Sequence, residues 1–147
     1  MGYALFAQRK LALDMQLNMA QLEQTMASNA QYCLATKTLS LNQELASTQA
    51  GQSAQLAAQY EKLSGERDSG VRDDINTEIA RLQKEFDQEN DRINQQIYQV
   101  SVAENAIEMT VKRLDTMVTA LQKQLEAVEQ AEGQAIDRAT PHFKGLG

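Results

Sequence analysis

Residues 75–128 read INTEIARLQKEFDQENDRINQQIYQVSVAENAIEMTVKRLDTMVTALQKQLEAV, and the placing of their apolar side chains decides the fold. From Ile75 these fall at Ile79, Leu82 and Phe86, then at Ile93, Ile97 and Val100, then at Ile107, Val111, Leu114, Val118, Leu121, Leu125 and Val128. The steps are fours and threes or their sums, the a/d spacing that sets one stripe of a helix against a second helix. Between Phe86 and Ile97 an eleven interrupts the sevens, a four-residue insertion that locally unwinds a supercoil and predicts a nearly straight stretch there. Glu89 and Glu104 fall on the same stripe, where their stems would line the edge of a seam and their heads reach water.

The first half supplies the second helix. It is rich in Ala, Leu, Gln and Met, all good helix formers, and Met15, Met19, Leu22, Met26 and Cys33 repeat at fours, threes and a seven. This spacing assigns Met15, Met19, Leu22 and Met26 to the seam, with Cys33 as a small buried residue beside them. Leu34, Leu45 and Leu56 then repeat at elevens, with Leu63 seven further on, so the stripe moves around the helix. The remaining surface is mostly Gln, Ser, Thr, Asn and Ala. Only Arg9, Lys10, Lys37, Lys62, Asp14, Glu23, Glu44 and Glu61 are charged before Gly65. A solvated helix of this length normally carries more charge, which predicts other protein against it on more than one side.

Ser64-Gly65-Glu66-Arg67-Asp68-Ser69-Gly70 separates the halves. Two glycines around Asp and Ser fit a helix C-cap, a short turn and a new N-terminus, and short connections join antiparallel neighbours. The expectation is an all-α chain with a single hairpin domain over residues 1–137. Its parts are helix one over about 4–62, a turn over 64–70 around Gly65 and Gly70, and helix two over about 71–137. Gly51 is the candidate break in helix one, because Gly costs ~1 kcal/mol in a helix interior. Pro141 should end helix two and leave residues 138–147 as a non-helical tail. On that tail Phe143 and Leu146 are candidates for docking onto a neighbouring subunit, near Tyr3, Leu5 and Phe6.

Composition narrows the function. The chain has 147 residues, a formal charge of -6, no Trp and 5% aromatics, so a thin helix seam suits it better than a thick core. The acidic excess lies wholly after Ser64, and no basic stripe exists to neutralise phosphates, which argues against nucleic acid. No apolar run reaches the ~18 residues that a membrane span requires. The N-terminal stretch lacks the pattern of a cleaved leader. The expectation is a location in the cytoplasm or export by a leaderless route.

Catalytic chemistry has no evident home. His142 is the sole histidine, so a two-histidine metal site cannot form within one chain. Acid pairs such as Asp73 with Asp74, or Glu85 with Glu89, fit solvated helix faces, and Gly65 and Gly70 lack the Lys-Ser/Thr of a phosphate loop. No catalytic residue, metal, cofactor or small-molecule substrate is expected.

A Cys-poor, Gln- and Ala-rich hairpin with a nearly uncharged first helix resembles the filament and needle subunits of type III secretion-type systems. The resemblance spans residues 4–131 and is architectural; those subunits carry Pro in the turn, and Gly65 to Gly70 contains none. It implies a structural protein whose partners are copies of itself, in a homo-oligomer or filament. The competing expectation is a coiled-coil adaptor or chaperone that grips a client.

Overall fold

A computed structural model describes residues 2–144, with side chains from Tyr3 to Arg138. Two helices make up the all-α fold: α1 over Gly2–Gly65 and α2 over Ser69–Lys144, packed against each other as a hairpin. Helix α1 runs unbroken through Gly51. A side chain there would meet nothing within 4 Å, so no close approach demands glycine. Its cost of ~1 kcal/mol is spread over a helix tethered on both sides by inward residues. Helix α2 continues through Pro141 to Lys144, beyond the expected stop. With three helical residues after it, Pro141 forfeits one backbone bond, to the carbonyl of Asp137. The side chain of Phe143 and all of Leu146 lie outside the described residues, as does the proposed tail docking.

The turn is tighter than its sequence suggests and closes by a different device. Only Glu66, Arg67 and Asp68 separate the helices, and no described glycine takes a positive φ, so Gly65 is not a left-handed cap. Instead the guanidinium of Arg72 reaches back from α2. Its Nη1 donates to the carbonyls of Leu63 at 2.9 Å and Glu66 at 2.8 Å, satisfying acceptors that the end of α1 leaves open. Asp68 is the N-cap of α2. Its Oδ1 accepts from the amide of Gly70 at 2.9 Å, and its carbonyl takes the first helical bond from Arg72 N, also at 2.9 Å. Glu66 Oε1 accepts from the amides of Arg67 and Asp68, both at 3.1 Å. Arg72→Gln should therefore cost about 1.5–3 kcal/mol, the range for bonds from a charged donor. Thermal unfolding reads the loss, whereas an unchanged melt would mean that the arginine does not cap α1.

The chain divides into two compact units, one of Tyr32–Asn105 and one combining residues up to Gln31 with those from Ala106 onward. In the Tyr32–Asn105 unit, α1 turns inward Leu34, Thr38, Leu41, Leu45, Thr48, Gln52, Leu56, Gln59 and Leu63. Helix α2 contributes Ile75, Ile79, Leu82, Phe86, Asn90, Ile93, Ile97 and Val100, with Ile93 fully buried. Arg92 and Glu44 pair across this seam at 3.6 Å. On the solvent side of α2, Arg81 lies between Glu78 and Glu85 and hydrogen-bonds both, which holds the Glu78 carboxyl below its ordinary range.

In the other unit, Leu13, Ala20, Val118, Leu121 and Val128 form a buried cluster, with Phe6, Leu17 and Leu125 packed on it. Small and large residues share this core, as in knobs-into-holes packing: Ala20 is 2% exposed and Leu114 1%. Gln24 donates to Asp115 at 2.7 Å, and Lys10 pairs with Glu129 at 3.5 Å along the seam's edge.

Candidate association surface

Helix α2 turns inward the residues that its spacing names. Leu82, Phe86, Ile93, Val100, Leu114, Val118 and Leu121 are buried, and Ile97, Ile107, Val111 and Leu125 are half-buried. Glu104 is half-buried and accepts from Thr38 Oγ1 at 2.7 Å. At the interrupted heptad, Asn90 rather than Glu89 takes the inward position, because Leu82, Phe86, Asn90 and Ile93 step by four, four and three. Helix α1 has the same irregularity at Thr48, Gln52 and Leu56, and the two meet. Asn90 Nδ2 donates to Gln52 Oε1 at 3.1 Å, and Gln52 Nε2 donates to the carboxylate of exposed Glu89 at 3.4 Å. Gln52 is buried, and Asn90 Oδ1 is buried without a protein donor. A shared interruption thus becomes a polar layer inside an apolar seam.

Helix α1 overturns the sequence assignment. Met15, Met19, Leu22 and Met26 are not in the seam; they are 57–63% exposed. Cys33 is exposed as well. The seam is carried instead by Leu13, Leu17, Ala20, Gln24 and Ala27, which step by four, three, four and three. Each outward residue follows an inward one by two positions: Met15 after Leu13, Met19 after Leu17, Leu22 after Ala20, Met26 after Gln24. Two residues are ~200° of helix rotation, so the two stripes occupy opposite faces of α1. Both have the spacing of a helix-pairing seam, and only one is used within this hairpin.

The outward face is apolar over a long stretch. Leu11, at 62% exposed, extends the stripe toward the N-terminus, where Tyr3 and Leu5 are also exposed while Phe6 packs inward. Beside it, Met19 of α1 and Met117 of α2 wall a groove whose floor is Ala20 and Leu121 and whose rim carries Glu23 and Arg113. Ala20 contributes only a methyl group, too small to fill the groove. Most of the charged residues of this unit lie on α2, among them Glu108, Lys112, Asp115, Lys123 and Glu126, all exposed.

No family model, no curated protein and no solved structure matches this chain. Among the described residues, no three His, Cys, Asp or Glu side chains come together in a way that could hold a metal ion. No described helix is long and apolar enough to cross a membrane. What distinguishes the surface is the outward stripe of α1 and its adjoining groove. An exposed run of this size marks a site of association more often than ordinary monomer surface.

Proposed function

We propose that the chain is a structural, self-assembling helical protein whose hairpins pack side by side through α1 into a filament, a tube or a polymer of the secretion-apparatus kind. The observation that carries this is the second apolar stripe. A helix that is apolar on two opposite faces needs protein on both, and α2 covers one. Charge supports the same reading, since residues 1–64 carry four acids and four bases while the acidic excess lies on the other helix. In such a polymer α1 lies inside and α2 faces solvent. The architectural resemblance to needle subunits agrees with it, and the reading assigns no catalysis to the chain.

Sedimentation velocity over a rising concentration series, followed by electron microscopy of the fastest species, tests the proposal. The expected result is growth through open-ended oligomers. A chain that stays a monomer, or stops at a small closed oligomer under all conditions, would rule it out. One observation favours a second reading, an adaptor that binds a client protein: three of the stripe's residues are methionines, whose flexible thioethers accommodate varied partners. Under that reading the purified chain remains monomeric and its stripe stays accessible at every concentration.

A further inference from the structure

We propose that the outward face of α1 is a site of reversible methionine oxidation, which peroxide converts from an apolar to a polar surface while the fold stays intact. The inference rests on the reading of this face as an association surface, and it comes from where the sulfur lies. Met15, Met19 and Met26 are 57%, 63% and 61% exposed on the outward stripe, and Met117 is 40% exposed across the groove from Met19. Among the described residues only Met109 and Cys33 also carry sulfur, and both are exposed. The interior is free of it: the buried side chains are those of Leu, Ile, Val, Ala, Phe and Gln52.

An accessible thioether reacts with hydrogen peroxide directly. Its sulfur attacks one peroxide oxygen, an S–O bond forms as the O–O bond breaks, and the other oxygen leaves with both protons as water. Sulfur gives up two electrons and the peroxide is reduced. The product is a sulfoxide, polar and chiral where the thioether was apolar. A thiol-dependent sulfoxide reductase reverses the step: two thiols become a disulfide and the oxygen departs as water.

On the stripe Leu11, Met15, Met19, Leu22 and Met26, oxidation leaves as apolar residues only Leu11 and Leu22, roughly 16 Å apart along the helix. A partner seeking apolar side chains at steps of three and four then meets strong hydrogen-bond acceptors, whose burial without donors is unfavourable. Within this unit the seam offers peroxide no target. Leu13, Leu17, Ala20, Leu114, Val118 and Leu121 are hydrocarbon, so helix pairing persists.

Two variants of the full chain fix the stripe in one chemical state. Met15, Met19 and Met26 changed together to Leu keep apolar side chains of like volume that peroxide does not attack. Changed together to Gln, they present uncharged polar groups, as the sulfoxides do. Both replacements favour helix, so circular dichroism should give the same helical content for every form, oxidised or not. Binding of the apolar-surface dye anilinonaphthalene sulfonate in dilute solution and self-association in sedimentation are the readouts. Once mass spectrometry shows sulfoxide at all three positions, the wild type should lose most of its dye binding. It should also associate at least roughly tenfold more weakly, the effect of one modest hot spot. The Gln variant should behave this way without peroxide, the Leu variant should respond to peroxide far less, and reductase with dithiothreitol should restore the oxidised wild type. If the oxidised wild type binds dye and associates as before, loses helix, or is matched in its response by the Leu variant, the inference falls. A wild type whose dye binding is lost on oxidation but which never associates would overturn the self-association reading and leave the modification site standing. One that neither binds dye nor associates would overturn both.

Discussion

Replacing Leu114 with Asp is expected to unfold most of the hairpin's helix pairing. Leu114 is 1% exposed and lies on α2 where the spacing of fours and threes is unbroken from Ile107 to Val128. An aspartate there loses the apolar burial and places a charge where no partner awaits it. An uncompensated buried charge costs roughly 3–5 kcal/mol, a large part of the stability of any domain of this size. Leu121→Asp, at a position 7% exposed in the buried cluster, should behave alike. The control is Met109→Asp, five residues before Leu114 and 72% exposed, which should change stability by no more than about 0.5 kcal/mol. Urea unfolding followed by circular dichroism reads all three. Equal midpoints for Leu114→Asp and Met109→Asp would mean that the seam lies on another face of α2.

The polar layer yields the second large effect, and its sign depends on how many partners are changed. Gln52→Leu alone removes the acceptor that Asn90 Nδ2 uses at 3.1 Å and strands that amide beside a buried Oδ1 that already lacks a protein donor. Leaving a buried polar group unmade costs about 1–3 kcal/mol. Changing Gln52 and Asn90 together to Leu removes both groups and fills the layer with apolar volume, so the double variant should be at least as stable as the wild type. The two single substitutions and the double one make a mutant cycle whose coupling exceeds ~1 kcal/mol, because the residues share a bond. A double variant as damaged as the sum of the singles would show that the two residues do not meet. Loss of the polar layer should also weaken discrimination between helix registers, the usual role of a single polar position in an apolar seam.

The two-helix fold and α2's inward face from Ile107 to Val128 were legible from spacing alone, since Ile, Val and Leu mark that stretch. At the interrupted heptad the spacing chose Glu89, whereas Asn90 is the residue that turns inward. On α1 the same method chose the wrong face. Two stripes with the same period run two residues apart, and the outward one, Met15, Met19, Leu22 and Met26, is richer in large apolar residues than the inward Leu13, Leu17, Ala20, Gln24 and Ala27. Inward Ala and Gln belong to a seam whose bulk comes from α2, through Leu114, Val118 and Leu121, so hydropathy read on one helix alone points away from it. The signal that could have found the seam was continuity. From Phe6 to Leu63 the inward positions step by fours and threes, with one extra four at Gln52 that matches the interruption at Asn90. The turn was located correctly but its closure was not, because the Arg72 cap is set by side-chain reach across the turn and leaves no mark in the glycine pattern. The scarcity of charge on α1 predicts protein on more than one side; what the structure shows is a second, exposed apolar face on that helix, and the functional reading stands on it.

Methionine oxidation by peroxide, mapped by mass spectrometry at low and high protein concentration, tests the central claim that this face is covered by other copies. Met109 on α2 is the internal reference, being 72% exposed and away from the stripe. Met15, Met19 and Met26 should oxidise as fast as Met109 in dilute solution and become progressively protected as concentration rises, while Met109 remains reactive throughout. Equal oxidation of all four methionines at every concentration would contradict the account.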